Sequence, residues 1–341
     1  MRVGVYYNNN DVRVEERPVP RIGSGELLLR VQASGICGSD VMEWYRIHKA
    51  PLVLGHEIAG EIVAVGEGVD RYKEGDRVTA YHHVPCNTCH YCLNGHHTAC
   101  DTFRSTHFDP GGFAEYARVK AINVERGMYP LPDDVSFEEG AFIEPLACVV
   151  RGQRLARVQA GQNVLVIGSG IAGLLHVQLA RALGAARVVA TDIVEYRLQA
   201  ALRFGADASF HAERAEPARL HEAFGGRLPD VIVVCAGVTQ AILQALRLIE
   251  RGGTVLLFAP PRPGLEVPIP VGDFWADEVT ITTCYGGSPA DAAVAFDLIR
   301  ARRILVCEMI THRLSLEEIG LGFRLVAVAQ ESIKVIIEPQ R

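Results

Sequence analysis

The sequence predicts an α/β protein made of two parts, a doubly wound parallel sheet and a second part that is mainly β. Three observations carry this expectation. The chain has 341 residues, a length that favours two domains or one large one. Up to about residue 120 it is rich in short β-type runs punctuated by Gly, Pro and Asp. From about residue 161 buried strands and helices alternate at lengths suited to right-handed crossovers.

In the first part the β-type runs are ELLLRVQAS, HEIAGEIVAVG and DRVTAYHHV. In the second part NVLVIG reads as a buried strand, IAGLLHVQLARALG as a helix, ARVVATD as a strand and EYRLQAALRFGA as a helix. The strand DVIVVCAG, the helix QAILQALRLIE and the strand GTVLLFA continue the alternation, and the Pro-rich stretch 259–270 is a loop. The segment after residue 303 returns to short strands and one amphipathic helix and is expected to pack back on the first part.

Composition narrows the function classes. Hydrophobic residues make up 49% and charged residues 22%, which is globular. The net charge of −6 gives no attraction toward phosphate backbones or anionic lipid, so neither nucleic acid nor membrane is an expected partner. No apolar run approaches the roughly 18 residues of a membrane span, and the N-terminal residues lack a signal core, so a cytoplasmic location is expected. Four of the nine cysteines lie between Cys86 and Cys100, a metal-site pattern in a reducing compartment.

The string GSGIAG, residues 168–173, follows one predicted strand and opens a helix. Gly168 allows the tight turn, Gly170 lets the backbone approach a pyrophosphate, and Gly173 permits close helix packing. Ile171 and Ala172 begin the helix whose N-terminus favours the negative charge. Asp192 stands 22 residues beyond Gly170 at the end of the next strand, where a carboxylate accepts from ribose hydroxyls and repels a 2′-phosphate. NAD is therefore expected ahead of NADP, although Arg197 could stack on adenine or help hold a phosphate.

Cys86, Cys89, Cys92 and Cys100, spaced C-x2-C-x2-C-x7-C, can close one tetrahedral structural zinc shell, with an iron–sulfur cluster as the lesser option. With those four positions filled, His82, His83, His90, His96 and His97 read as ordinary loop residues. A second, dispersed set comprises Cys37, His56, Glu57 and Glu144. Three or four N, S and O ligands with a position left for substrate is the composition of a catalytic zinc site.

With these residues in view, the chain resembles the zinc-dependent medium-chain alcohol dehydrogenases, in their polyol (sorbitol-like) and threonine dehydrogenase branch. The resemblance covers essentially the whole chain and rests on GHEIAGEIVAVGEGV, CGSD, the four-cysteine loop, GGFAEY at 111–116, EPLA at 144–147 and GSGIAG with Asp192. It implies a GroES-like catalytic, zinc-binding domain over 1–150 and 286–341 and a Rossmann dinucleotide-binding domain over 151–285. It also implies one catalytic and one structural zinc per chain, a homotetramer with a homodimer second, and a small-molecule alcohol or polyol substrate.

Residue by residue, the resemblance implies that Cys37 and His56 bind the catalytic zinc, with Glu57 as a direct or alternating ligand. Glu144 stands where simple alcohol dehydrogenases carry a ligand cysteine. Asp40 matches the carboxylate that orients the ligand histidine, and Ser39 the hydroxyl that takes the substrate proton. Met42 occupies the place of a relay histidine, which leaves a ribose hydroxyl, a water chain or His48 as the proton exit. Lys334 matches a basic position that contacts cofactor phosphates in some relatives. A carboxylate in place of a thiolate at Glu144 makes the shell harder and leaves room for five-coordination, which favours a vicinal diol, sugar or polyol. An amino alcohol such as threonine and a simple secondary alcohol are the alternatives, and the threonine-like one would need a carboxylate clamp. A zinc-binding scaffold or nucleic-acid module is the reading from another class, opposed by the net charge.

Overall fold

A computed structural model describes residues 1–341. Its contacts divide the chain into two compact units, Met1–Ala147 with Gly287–Ala301 and Val306–Arg341, and Cys148–Gly286 with Arg302–Leu305. The division falls at 147/148 and 286/287, against the 150/151 and 285/286 of the sequence reading, and the second unit also takes residues 302–305. It falls inside a helix, Ile143–Leu155, that the sequence reading did not single out.

The second unit is built on a six-stranded, wholly parallel sheet. Its spatial order is Ala208–His211, Arg187–Asp192, Asn163–Ile167, Val231–Val234, Thr254–Leu257, Thr280–Thr283. Numbered along the chain these are strands 3-2-1-4-5-6, the doubly wound order, with the direction reversing between Asn163–Ile167 and Val231–Val234. All five residues of NVLVI are buried, as expected of a central strand with helices on both faces. Helices Ile171–Ala182, Glu195–Arg203 and Thr239–Leu248 stand where the 3.6-residue apolar period places them.

The first unit holds a seven-stranded sheet and a three-stranded one. Leu27–Gly35 is central to the larger sheet: Leu27, Leu29, Val31 and Ala33 alternate inward. It pairs antiparallel with Glu57–Val65, with Tyr116–Val119 and, from the far end of the sequence, with Lys334–Glu338. The register sets Gly35 opposite both Glu57 and Ile336. This one alignment brings residues 37, 56–57 and 334 to the same end of the sheet. The segment after residue 303 forms strands Ile310–Ser315 and Lys334–Glu338 around helix Ile319–Val328 and lies mostly in the first unit.

Candidate functional site

The four-cysteine loop folds on itself around the short helix His90–Leu93. The sulfurs of Cys86, Cys89, Cys92 and Cys100 all lie within 4.8 Å of one another. Backbone N–H groups of Thr88 and Cys89 donate to Cys86 Sγ at 3.4 and 3.3 Å, and that of Cys86 donates to Cys100 Sγ at 3.4 Å. These donors stabilise a thiolate: with the Thr88 hydroxyl they hold Cys86 down to about 5, whereas burial pushes Cys92 up to about 12. Cys92 and Cys100 pack on Phe103 in a small core of their own. Four convergent thiols with no position left over are the donor set of a closed zinc site.

The dispersed set also converges. Ligand atoms of Cys37, His56 and Glu57 lie within 4.8 Å of one another, and one thiolate, one imidazole and one carboxylate suit zinc. Glu144 is buried in the first turn of helix Ile143–Leu155 and is not part of that close set. Asp40 is fully buried behind His56. Its Oδ1 lies 3.4 Å from His56 Nδ1, and its Oδ2 accepts from the Cys37 N–H at 3.1 Å. Burial opposes charge on both members of this pair, but their attraction prevails: Asp40 is held below the usual carboxylate range and His56 well above the usual imidazole range. An imidazole tied through Nδ1 presents Nε2 to a metal.

Ser39 lies over the same thiol, its hydroxyl donating to Cys37 Sγ at 3.4 Å. Sequence reasoning missed its neighbour, Arg46, whose Nε donates to Ser39 O at 3.0 Å and whose Nη2 donates to Ser39 Oγ at 3.1 Å. Met42 precedes the short helix Glu43–Arg46, and His48 is exposed in the turn that follows.

Lys334 has a partner in its own unit that the sequence reading did not name. It is buried in the first unit, with Nζ paired to Glu57 Oε2 and donating to Ile36 O at 3.2 Å. The partner that draws it there is a buried carboxylate 277 residues away in sequence. His82 and His83 are not ordinary loop residues. His82 is 8% exposed with its ring 4.8 Å from that of His56, and its Nδ1 has no hydrogen-bond partner. His83 pairs through Nδ1 with Thr106 O at 2.6 Å. Burial pushes His82 well below its usual range and His83 to about 3, so both rings are neutral. Their burial was legible in part, because the apolar strand Arg77–Tyr81 runs directly into His82.

In the second unit, Gly168 (φ +94°) turns the chain out of its strand at the sheet's reversal point. A Cβ at Gly173 would stand 1.9 Å from Gly168 O, so only glycine lets helix Ile171–Ala182 close on the turn. Asp192 ties this turn together: Oδ2 accepts from the Ser169 N–H at 2.6 Å, and Oδ1 accepts from the Ile193 and Val194 N–H groups at 2.8 and 2.9 Å. A Cβ at Gly170 would meet the Arg197 guanidinium at 3.8 Å, and Arg197 Nε is buried without an acceptor. Gly168, Gly170, Ile171, Ala172, Gly173, Asp192 and Arg197 thus gather at one end of the parallel sheet.

Comparison with known proteins agrees with this geometry. The alcohol dehydrogenase GroES-like domain matches residues 23–133 and the zinc-binding dehydrogenase family matches residues 172–301. A sorbitol dehydrogenase of Gallus gallus is 36% identical over 345 residues, covering 98% of this chain and 95% of the relative. Among solved structures, galactitol-1-phosphate dehydrogenase from Escherichia coli superposes with a TM-score of 0.87 at 32% identity, covering 99% of this chain and all of that one. A protein of Sinorhizobium meliloti solved with NADP superposes at 0.88 with 29% identity, covering 99% of each chain.

Proposed function

Because the chain belongs to the zinc-dependent medium-chain alcohol dehydrogenases, in their polyol branch, we propose that it transfers hydride between NAD and a secondary carbinol of a polyol, sugar or vicinal diol. The observation that carries the reading is the convergence of Cys37, His56 and Glu57 with Asp40 buried behind the imidazole. These three side chains would hold the catalytic zinc, and Glu144 would join them only by moving closer. When bound there, the metal supplies Lewis acidity that lowers the pKa of the substrate hydroxyl.

The chain's own residues do the rest. Asp40 fixes the orientation of His56. Ser39 Oγ, steadied by Arg46 Nη2, receives the hydroxyl proton of the substrate. Met42 offers no onward acceptor, so the proton leaves Ser39 through a ribose hydroxyl or solvent. Cys86, Cys89, Cys92 and Cys100 would hold a structural zinc.

For the nucleotide, Asp192 supports NAD, since its carboxylate stands at the turn where a 2′-phosphate would have to sit. NADP is the second reading, favoured by the buried, unpartnered Nε of Arg197. We place the enzyme in the cytoplasm; no helix is long and apolar enough to cross a membrane. A homotetramer, with a homodimer second, is supported by the edge strand Thr280–Thr283 and by Trp275, which is 83% exposed.

The test is metal analysis of the purified protein with a screen of NAD and NADP reduction across polyols, sugars, amino alcohols and simple secondary alcohols. About two zinc per chain and preferential NAD-linked oxidation of vicinal diols is the expected result. Near one zinc with no turnover on any alcohol would overturn the catalytic reading.

A further inference from the structure

The surroundings of Ser39 carry more positive charge than a neutral polyol requires. The Arg46 side chain is only 14% exposed, yet its one carboxylate neighbour is Asp40 at 3.5 Å. Asp40 is already engaged, by His56 on Oδ1 and by the Cys37 N–H on Oδ2. Arg46 spends Nε and Nη2 on Ser39, and no protein acceptor faces Nη1. Its guanidinium stacks on Tyr45 at 4.7 Å, and the same ring carries Lys49 Nζ at 5.3 Å, a second cation with no ion pair. The nearby Glu57 carboxylate is neutralised by Lys334. His82 adds a buried Nδ1 without a partner, beside His56.

In a chain of net charge −6, a largely shielded guanidinium with a free N–H beside the proton-accepting hydroxyl is a binding feature that lacks its ligand. Resting on the dehydrogenase reading above, we propose that the substrate is an anionic polyol. Its oxyanion, a carboxylate or phosphate close to the reacting carbinol, is received by Arg46 Nη1 with Lys49 behind it, while a further hydroxyl pairs with His82 Nδ1. Arg46 lies 3.1 Å from Ser39 Oγ, so the oxyanion sits only a few bonds from the carbon that loses hydride. The sequence held no sign of this clamp, because nothing in the spacing between Ser39 and Arg46 announces that the intervening turn folds the guanidinium back onto the hydroxyl.

The test uses the zinc-loaded protein and three probes: sorbitol, gluconate and sorbitol 6-phosphate. Affinity is read by titration calorimetry with NADH present, and oxidation with NAD is read separately. One of the two anions is expected to bind about tenfold to a hundredfold more tightly than sorbitol, the range of a charge-assisted hydrogen bond, and the one preferred identifies the oxyanion. Arg46→Gln should remove that preference, and Lys49→Gln, remote from Ser39, should reduce it a few-fold and flatten its dependence on salt. His82→Phe should weaken all three probes alike and leave the preference in place. Equal binding of the three probes by the parent, or a preference that survives both Arg46→Gln and Lys49→Gln, overturns the proposal. In those cases continued oxidation of sorbitol leaves the dehydrogenase reading intact. Failure to oxidise any of the three overturns the anionic polyol, and the dehydrogenase reading falls with it only if no other alcohol is turned over and zinc is near one per chain.

Discussion

Replacing Lys334 by Met tests whether the buried ion pair beneath the candidate metal centre is what the structure describes. Lys334 and Glu57 are 0% and 1% exposed in their side chains, so neither charge can turn to water when the other is removed. Leaving one member of such a pair without its partner costs about 3–5 kcal/mol. The Ile36 carbonyl, which accepts from Nζ at 3.2 Å, loses its donor as well. At about 2–4 °C per kcal/mol for a unit of this size, Lys334→Met should lower Tm by about 6–20 °C. Urea unfolding in the presence of a chelator measures the free energy directly, because no metal then shares the Glu57 charge. The double variant Lys334→Met/Glu57→Gln should recover most of the loss, since it removes the charge that had been left alone. A single variant within about 1 kcal/mol of the parent, with no recovery in the double, would refute the reasoning.

The two candidate zinc sites should separate by mutation: Cys37→Ala is expected to abolish turnover while NADH binding, read by fluorescence, is kept, and Cys100→Ala to lower Tm by several degrees. Gly173→Ala would force a Cβ to within 1.9 Å of Gly168 O, so NADH affinity should fall more than about tenfold while the metal content is unchanged. His176, buried in the second unit against Gln153 and Phe258, is pushed by burial from 6.5 to about 3. Its folded pKa lies below the unfolded one, so its neutral form is fully stabilising above pH 6.5. Stability is lost at about 1.4 kcal/mol per unit as pH falls from there toward 3, or about 2 kcal/mol at pH 5. His176→Leu should flatten the acid side of a stability–pH profile by that amount, and an unchanged slope would show that the ring is not buried neutral.

Features governed by short spacings could be read from the sequence. The strand, turn and helix around GSGIAG lie within some twenty residues, and the cysteine loop within fifteen, so local periodicity and ligand spacing suffice. The dispersed set was legible only as a coincidence of residue types, since what unites it is the pairing of Leu27–Gly35 with Glu57–Val65. The partner of Lys334 was not legible, because it is set by a strand pairing between residues 35 and 336, a contact with no local signature. Arg46 and His82 were missed for a different reason. An arginine after a turn and a histidine after a strand are ordinary in any sequence, and only the folded positions show that one reaches Ser39 and the other His56.

The pairing of Lys334–Glu338 with Leu27–Gly35 also bears on how the protein is made. A nascent chain that has reached Gly286 already contains every strand of the six-stranded parallel sheet, which can close while synthesis continues. The cysteine loop, contained between residues 86 and 100, can likewise gather its four thiols early. The Cys37–His56–Glu57 cluster is translated before either the parallel sheet or its own closing strand, yet it must wait for residue 334 to bring the cation that neutralises Glu57. The two candidate metal centres therefore become complete in an order set by sequence separation: the four-cysteine set needs only residues 86–100, whereas the Cys37–His56–Glu57 set needs residue 334 as well.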